Sequence, residues 1–287
     1  MAALREIKER IGSVGSTLKT TTAMKMVASA KLHRIQGVSQ GLQVYEQSLS
    51  QTMRVLCADT SVQLHSPYME QRSGGKVIVV ALSSDTSLCG AFNSQIIKAV
   101  ETKLAQLEQS GVESVQVWPV GEKMALAAKK WKCGVCWDFR NISSQLNEKS
   151  AAAIAQRLMD LYEKGEVDKV YVVYNHFHSM GKQVPSQRVF LPFNLSEEMG
   201  AQGAVDEDVI CEPSKGEIFT ALLPYLLRCR MYALLLNSST AEFAARTVAM
   251  QTASDNAQDL LDELKLGYNK QRQQAITDEL ADIAQSE

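Results

Sequence analysis

The sequence lacks several features that would assign it quickly to a functional class. Its formal net charge is −2 at pH 7, so it has no basic excess of the kind that nucleic-acid-binding proteins carry. No apolar run approaches the ~18 residues of a membrane span. Residues 1–6 include two charged side chains and no apolar core, so a signal peptide is not predicted. We therefore expect neither nucleic-acid binding nor a direct membrane span.

The cysteines of the sequence also form no pattern that predicts disulfide bonds. Six cysteines are scattered along 287 residues, which fits free thiols in a reducing compartment. Cys133 and Cys136 have the CxxC spacing of redox and zinc sites, but no second CxxC accompanies them. We favour two packed thiols and expect no metal there, with a redox or metal function as the alternative.

Phosphate-binding motifs are missing as well. The stretch Ser83–Asn93 follows the first predicted strand, where a doubly wound domain would bind a nucleotide. It contains neither GxGxxG nor a Walker A lysine, so a structural turn or a subunit contact is favoured over a nucleotide site. No feature supports Cys89 as a nucleophile. His176 and His178 would share a strand face, which allows metal binding, but no third ligand is suitably spaced and chance is favoured. We predict no catalytic residue and no cofactor.

What the sequence does contain is a long apolar seam near its C-terminus. The seam alternates in steps of three and four over six heptads, which is typical of a coiled coil. Ser214–Glu217 fits a capping box, so the helix is predicted to begin near Lys215, although Pro224 could kink it or move its start. From Glu217 to Ser286 it would be roughly 105 Å long and would have to protrude from a compact domain. The seam comprises Leu222, Tyr225, Cys229, Tyr232, Leu236, Ser239, Phe243, Arg246, Met250, Ala253, Ala257, Leu260 and Leu264.

The N-terminal stretch repeats this alternation and is predicted to be a helix ending between Leu56 and Asp59. Residues 1–58 carry eight Lys/Arg against three Asp/Glu, whereas residues 217–287 carry six against ten. Opposite charges favour antiparallel pairing of the two arms. The seams mesh if paired residue numbers add to 267 or 268, which places Leu4 opposite Leu264 and Thr21 opposite Arg246. Residues 268–287 would then continue as a lone helix whose apolar side chains other subunits must shelter.

Between the two helical arms, the pattern of apolar residues changes. Residues 60–75 are polar and form a predicted linker. Strands are predicted at 76–82, 114–120 and 169–175, with an edge strand at 187–191, and helices at 93–109, 122–132 and 148–164. This alternation predicts a mostly parallel, doubly wound sheet. The fold class is therefore α/β: a two-helix antiparallel coiled coil from both termini with an inserted Rossmann-like domain. The predicted domains are 1–58, 74–211 and 212–287.

Three stretches carry a resemblance to a known family, and they are Thr22–Leu32, Ala249–Ala257 and Leu266–Leu280. They resemble the signatures of the gamma subunits of rotary ATP synthases, and they occur in the family's order along the whole chain. The chain departs from the family's usual pattern in Ser84–Asn93, where Thr86, Ser87 and Ala91 replace a basic residue and two glycines. The effect of this altered loop is left open.

The resemblance implies a non-catalytic central-stalk subunit of a proton-translocating ATP synthase. Such a subunit rotates inside a ring of alpha and beta subunits and couples proton flow through the membrane rotor to ATP synthesis at the beta subunits. The implied partners are alpha and beta around the coiled coil, and the small epsilon subunit and membrane c-ring at the foot. The implied location is peripheral, on the cytoplasmic face of a bacterial inner membrane or on the matrix side of an organelle.

The resemblance also implies subunit-contact residues. Arg246, Arg272 and Gln273 match family positions that contact beta-subunit loops. The remaining candidates lie in the two terminal signatures and are Met24, Lys25, Thr277 and Glu279. From the residues alone, Lys25 and Arg246 could equally extend outward and tune the register of a coiled coil. An enzyme built on the α/β domain, and a plain scaffold protein, are the rival interpretations.

Overall fold

Two long helices begin and end the chain. The computed structural model describes residues 2–58, 66–72, 74–140, 142, 146–194 and 210–285. Helix α1 spans Ala2–Ala58, as predicted for the first arm. The last helix, α5, spans Lys215–Gln285 and continues through Pro224. The Ser214 hydroxyl accepts a hydrogen bond from the Glu217 amide at 3.3 Å and donates to its carboxylate at 3.1 Å, which explains why the helix begins there.

The chain divides into two compact units, and both long helices contribute residues to each. Residues 1–31 and 246–287 form what we call the helix-pair unit, and residues 32–245 form the core unit. The unit boundaries fall inside α1 and α5, not at the helix ends at which the sequence places its domain limits. The division into 1–58, 74–211 and 212–287 remains a prediction.

A five-stranded sheet lies in the core unit, with strand order β3-β2-β1-β4-β5. Strands β1 (Lys76–Leu82), β2 (Ser114–Val120), β3 (Gly134–Val135) and β4 (Lys169–Ser179) are parallel, and β5 (Lys182–Leu191) pairs antiparallel with β4. Helices α2 (Phe92–Gln109), α3 (Glu122–Ala128) and α4 (Glu148–Glu163) connect the strands. The predicted mostly parallel sheet is confirmed.

Both faces of the sheet are covered, because successive residues of a strand point to opposite sides. On one face, Val77, Val79 and Ala81 pack with residues of α2 and α3. On the other face, Ile78, Val80 and Leu82 pack with α4 and with the parts of α1 and α5 that belong to the core unit. Strand β1 is therefore buried at every position after Lys76, as its continuous apolar run predicts.

The helices and strands whose bounds were predicted incorrectly have the weakest apolar patterns. Strand β4 continues past Asn175 to Ser179 and turns directly into β5, because the outer half of an antiparallel hairpin needs no apolar run. Strand β3 has only two residues, and α3 stops at Ala128. The predicted linker contains a 3₁₀ helix at Pro67–Met69, and its residues 60–65 and 73 lie outside the described part of the chain.

In the helix-pair unit, the α1 seam is confirmed but the α5 seam is rotated. The α1 positions that are at least half-buried include Leu4, Ile7, Ile11, Val14, Leu18, Thr21, Lys25 and Ala28. On α5, Thr247, Met250, Ser254, Ala257 and Leu261 are buried, whereas the predicted seam residue Leu260 is 46% exposed. The steps of three and four therefore alternate in the opposite order, which places Leu261 inside instead of Leu260.

The predicted register of the two arms is wrong by about one heptad. Thr21 is hydrogen-bonded to Ser254 and Lys25 to Gln251, so paired residue numbers add to 275 and 276 instead of 267 or 268. In this register Ile11, not Leu4, lies level with Leu264. The part of α5 beyond the end of α1 consequently begins about one heptad later than Tyr268.

Among the described helices, α5 is the one whose length and composition would suffice to cross a membrane. Much of its apolar surface is nevertheless used inside the core unit. Phe219, Leu223, Leu226, Leu227 and Met231 are completely buried in the main apolar cluster. A core helix passes the same test of length and composition, so this feature is weak evidence for a membrane span.

Candidate functional site

The polar zone of the α1 seam is a set of hydrogen bonds between the two helices. The Lys25 ammonium donates to the Gln251 side-chain oxygen at 2.9 Å. One turn away, the Ser254 hydroxyl donates to the Thr21 hydroxyl at 2.9 Å, and Ser254 is only 6% exposed. The structural interpretation of Lys25 therefore has direct support, because its side chain bridges the helices. Its aliphatic stem remains half-buried in the seam.

The other candidate residues are distributed along the surface of the same unit. Met24 is 41% exposed, and Arg246 is half-buried. Arg272, Gln273 and Thr277 lie on α5 and are exposed. The Thr277 hydroxyl donates to the backbone carbonyl of Gln273 at 2.9 Å, so this bond does not use the side-chain amide of Gln273.

Glu279 lies in α5, but its side chain is outside the described part of the chain. The candidates thus form two groups and not one site. Met24 and Lys25 lie near Gln251, and Arg246 lies five residues before Gln251 in α5. Arg272 follows Gln251 by roughly 30 Å along the helix, at about 1.5 Å per residue.

Sequence reasoning predicted exposed apolar side chains at the end of α5, where Ile276 and Leu280 lie, but missed the others on this unit. Met26 is 63% exposed and Val27 is 57% exposed, both beside Lys25 in the first signature. On α5 the exposed apolar residues are Val248, Leu260, Leu266, Ile276 and Leu280. These side chains are available for contact with other proteins. The signal was available in the sequence for Met26 and Val27, since neither falls on the α1 seam.

The loop that follows β1 is held by its own side chains. The Asn93 side-chain amide donates to the Ser84 hydroxyl at 2.7 Å and to the Cys89 sulfur at 3.1 Å, and the Ser84 amide donates to Asn93 Oδ1 at 3.2 Å. Leu88 has a φ of 66°, a strained value for a leucine, and its side chain is 57% exposed. The polar groups of the loop bond one another, which favours the structural turn over a phosphate cradle.

The CxxC cysteines pack on opposite faces of the sheet. Cys133 contacts the cluster that contains Val77 and Val117, whereas Cys136 contacts the cluster that contains Ile78 and Val80. Burial raises the pKa of both thiols. Two protonated thiols that point to opposite sides are poorly placed to hold one zinc ion or to form a disulfide.

His176 and His178 lie within β4 and not after it, and they share a face of the strand as predicted. Their ring centroids are 4.7 Å apart, with the ring planes at 86°. Burial lowers the pKa of His176, and the nearby positive groups of His178 and Arg188 lower it further, while a hydrogen-bonding contribution from Asn237 opposes them. No group of three or more His, Cys, Asp or Glu side chains suited to a metal occurs among the described residues.

Comparison with solved structures shows which known fold the chain shares. A chain of the Euglena gracilis mitochondrial ATP synthase, solved by cryo-EM as an assembly of OSCP, F1 and c-ring, matches with a TM-score of 0.65 and 20% sequence identity. The match covers 99% of this chain and 93% of that chain. The fold is therefore that of a chain found in rotary ATP synthase assemblies.

Sequence comparison identifies the family. The family model described as ATP synthase matches residues 3–286. The ATP synthase gamma chain of Phocaeicola vulgatus is 43% identical over 286 residues, covering 99% of this chain and 98% of the relative. The ATP synthase gamma chain of Parabacteroides distasonis is 43% identical over 283 residues, covering 99% and 97%. The chain belongs to the ATP synthase gamma chain family.

Proposed function

We propose that the chain is the rotating, non-catalytic central-stalk subunit of a proton-translocating ATP synthase. Alpha and beta subunits would surround the helix-pair unit, and the epsilon subunit and the membrane c-ring would bind elsewhere on the chain. Rotation would couple proton flow to ATP synthesis at the beta subunits. The chain would work on the cytoplasmic face of a bacterial inner membrane.

The observation that carries this proposal is the exposed apolar surface of the helix-pair unit. Leu266 is 72% exposed, Ile276 is 50% exposed and Leu280 is 61% exposed. These side chains lie in the third signature stretch, on a helix with little else to pack against. An isolated helix end with exposed leucines is marginal in water, so a surrounding partner is needed to stabilise it.

A central shaft can favour different conformations in identical surrounding subunits only if it makes different contacts with each of them. One asymmetric chain inside a three-fold ring presents a different surface to each beta subunit, and so favours a different conformation in each. We assign this contact role to Met24, Lys25, Arg246, Arg272, Gln273, Thr277 and Glu279. Lys25 would combine it with its structural bond to Gln251.

The test is assembly of the chain with the alpha and beta subunits of the same cell. We expect one copy of the chain for three alpha and three beta subunits, measured by native mass spectrometry. Ile276→Asp places a charge on the exposed apolar surface and is expected to weaken assembly at least tenfold. Gln271→Asp adds the same charge at an exposed polar position and serves as the matched control.

Two results would contradict the proposal. One is assembly that is equally strong for both variants. The other is an isolated chain that binds ATP with a micromolar dissociation constant in calorimetry, which would favour an enzyme built on the α/β domain.

A further inference from the structure

The two histidines of the β4–β5 hairpin are not explained by the proposed function. They occupy alternate positions of β4, so both imidazoles project from the same face of the strand. The Tyr174 ring lies on this face too, with its centroid 6.1 Å from that of His176. All of these residues belong to the core unit.

One ring nitrogen of His176 has no hydrogen-bond partner, although the side chain also interacts with Asn237. This atom, Nδ1, is shielded from solvent. A neutral imidazole offers one donor and one acceptor nitrogen, and buried ring nitrogens are normally satisfied. His178, in contrast, is exposed, so solvent reaches the His178 ring but not the Nδ1 atom of His176.

The separation of the rings matches shared coordination. Alternate residues on a strand are about 6.6 Å apart along the chain, so rings at 4.7 Å converge towards each other. An ion held about 2.0–2.1 Å from one nitrogen of each ring would keep the ring centroids roughly 5 Å apart. Small rotations about the side-chain bonds would bring both rings onto one ion.

The chemistry of the pair selects the kind of ion. Imidazole nitrogen suits Cu²⁺, Ni²⁺ and Zn²⁺, and Cu²⁺ has the highest affinity of the three for a given set of ligands. Because no third His, Cys, Asp or Glu joins the pair among the described residues, water would complete the coordination. Such a site exchanges its ion, unlike a closed four-ligand structural site.

We propose that His176 and His178 form a binding site for one imidazole-preferring divalent transition-metal ion on the β4–β5 hairpin. From the sequence, the spacing of the two histidines was attributed to chance, because no third ligand was found. The convergent rings favour a site formed by the two histidines instead. The ion links two residues of one strand beside Asn237 of α5, whose side-chain oxygen accepts a hydrogen bond from the Phe177 amide at 2.9 Å. Binding therefore stabilises the folded hairpin.

The experiment uses the purified full chain titrated with CuCl₂ and followed by electron paramagnetic resonance. We expect one Cu²⁺ per chain with magnetic coupling to nitrogens of two imidazoles. His176→Gln and His178→Gln are each expected to weaken binding at least tenfold. His33→Gln, which removes an exposed histidine of α1, is the matched control and is expected to leave binding unchanged.

A second measurement guards against a variant that fails to fold. ZnCl₂ is expected to raise the melting temperature of the wild-type chain and of His33→Gln, but not that of His178→Gln, whose exposed side chain is dispensable for packing. Cu²⁺ uptake by the double variant at wild-type affinity, coupling to a single imidazole, or no uptake at all would each overturn the site. In the last case the rings are an edge-to-face aromatic pair only.

Discussion

At the scale of single residues, the polar side chains of the α1 seam act as positioning groups. Apolar seam positions can pair in more than one way, because any Leu or Ile fills a similar hole. A hydroxyl or an ammonium in the same seam is satisfied only opposite a suitable partner. Thr21 and Lys25 find such partners in Ser254 and Gln251. These bonds consequently select one alignment of the helices.

The bond between Ser254 and Thr21 is expected to contribute measurably to stability. Ser254→Ala removes the donor inside the helix pair, and we expect the free energy of unfolding of the full chain to fall by about 1 kcal/mol. Thr252→Ala is the control, because Thr252 is exposed and its hydroxyl donates to the Val248 carbonyl at 3.2 Å within its own helix. That variant should change stability by less than about 0.5 kcal/mol in urea denaturation. Equal losses in the two variants would show that the interhelical bond adds nothing.

A tyrosine pair in the core unit makes a prediction about high pH. Tyr45 and Tyr225 meet edge to face with ring centroids 6.2 Å apart. The neighbouring Tyr225 hydroxyl, followed by the partial burial of a side chain that is 45% exposed, raises the pKa of Tyr45 to about 12. The folded chain thus keeps Tyr45 protonated where an unfolded tyrosine, with a pKa of about 10, ionises. This contribution to stability is complete below pH about 10 and is lost as the pH rises towards 12.

Removing the partner hydroxyl tests the origin of this shift. Tyr225→Phe is expected to lower the pKa of Tyr45 towards 10, as followed by the ¹³C resonance of its ring carbon next to oxygen. Tyr268→Phe, in the helix-pair unit, should leave that pKa unchanged. An unaltered pKa of Tyr45 in Tyr225→Phe would assign the shift to burial alone.

At the scale of elements, the sequence predicts the helices and strands that have a strong apolar pattern. The bounds of α1, β1, β2, α2 and α4 follow from apolar patterns that only one element type satisfies. The outer half of the β4–β5 hairpin and the two-residue β3 have no such pattern. Their positions depend on neighbouring strands instead, so a single-sequence reading does not find them.

The register error has a physical cause of the same kind. A heptad pattern maps onto itself after seven residues, so the apolar positions of two helices mesh equally well after one helix slides by a heptad. Choosing the alignment requires knowledge of which polar side chains pair. The same ambiguity affected the α5 seam, where adjacent Leu260 and Leu261 are both apolar but only Leu261 is buried.

The candidate contact residues were chosen by resemblance to the family and not from the periodicity of the sequence. The family signatures identified the stretches that contain Met24, Arg246 and Arg272. The exposure of Ile276 and Leu280 agrees with the lone helix end predicted from the sequence, whereas the exposure of Met26 was not predicted. The contact roles themselves remain a prediction.

Disulfide trapping distinguishes the two alignments directly. The variant Thr21→Cys/Ser254→Cys should oxidise readily to an intramolecular disulfide, because the two native hydroxyl oxygens are 2.9 Å apart. The variant Thr21→Cys/Arg246→Cys represents the alignment predicted from sequence and serves as the control. Peptide mapping by mass spectrometry identifies the linked cysteines. Preferential oxidation of the control variant would restore the sequence-based register.

At the scale of the whole molecule, much of the described apolar surface is used in packing within the two units. The apolar surface left on the helix-pair unit points to partners, and membership of the ATP synthase gamma chain family indicates which ones. In the proposed function, the chain acts by turning inside a ring of alpha and beta subunits.

The most direct test is a single-molecule rotation assay on a complex of this chain with the alpha and beta subunits of the same cell. The ring is fixed to a surface, and a bead is attached to an exposed cysteine introduced into the core unit. We predict stepwise rotation in one direction that begins on addition of ATP and stops when ATP is removed. Sustained ATP hydrolysis by complexes in which the chain stays fixed in orientation would contradict the account.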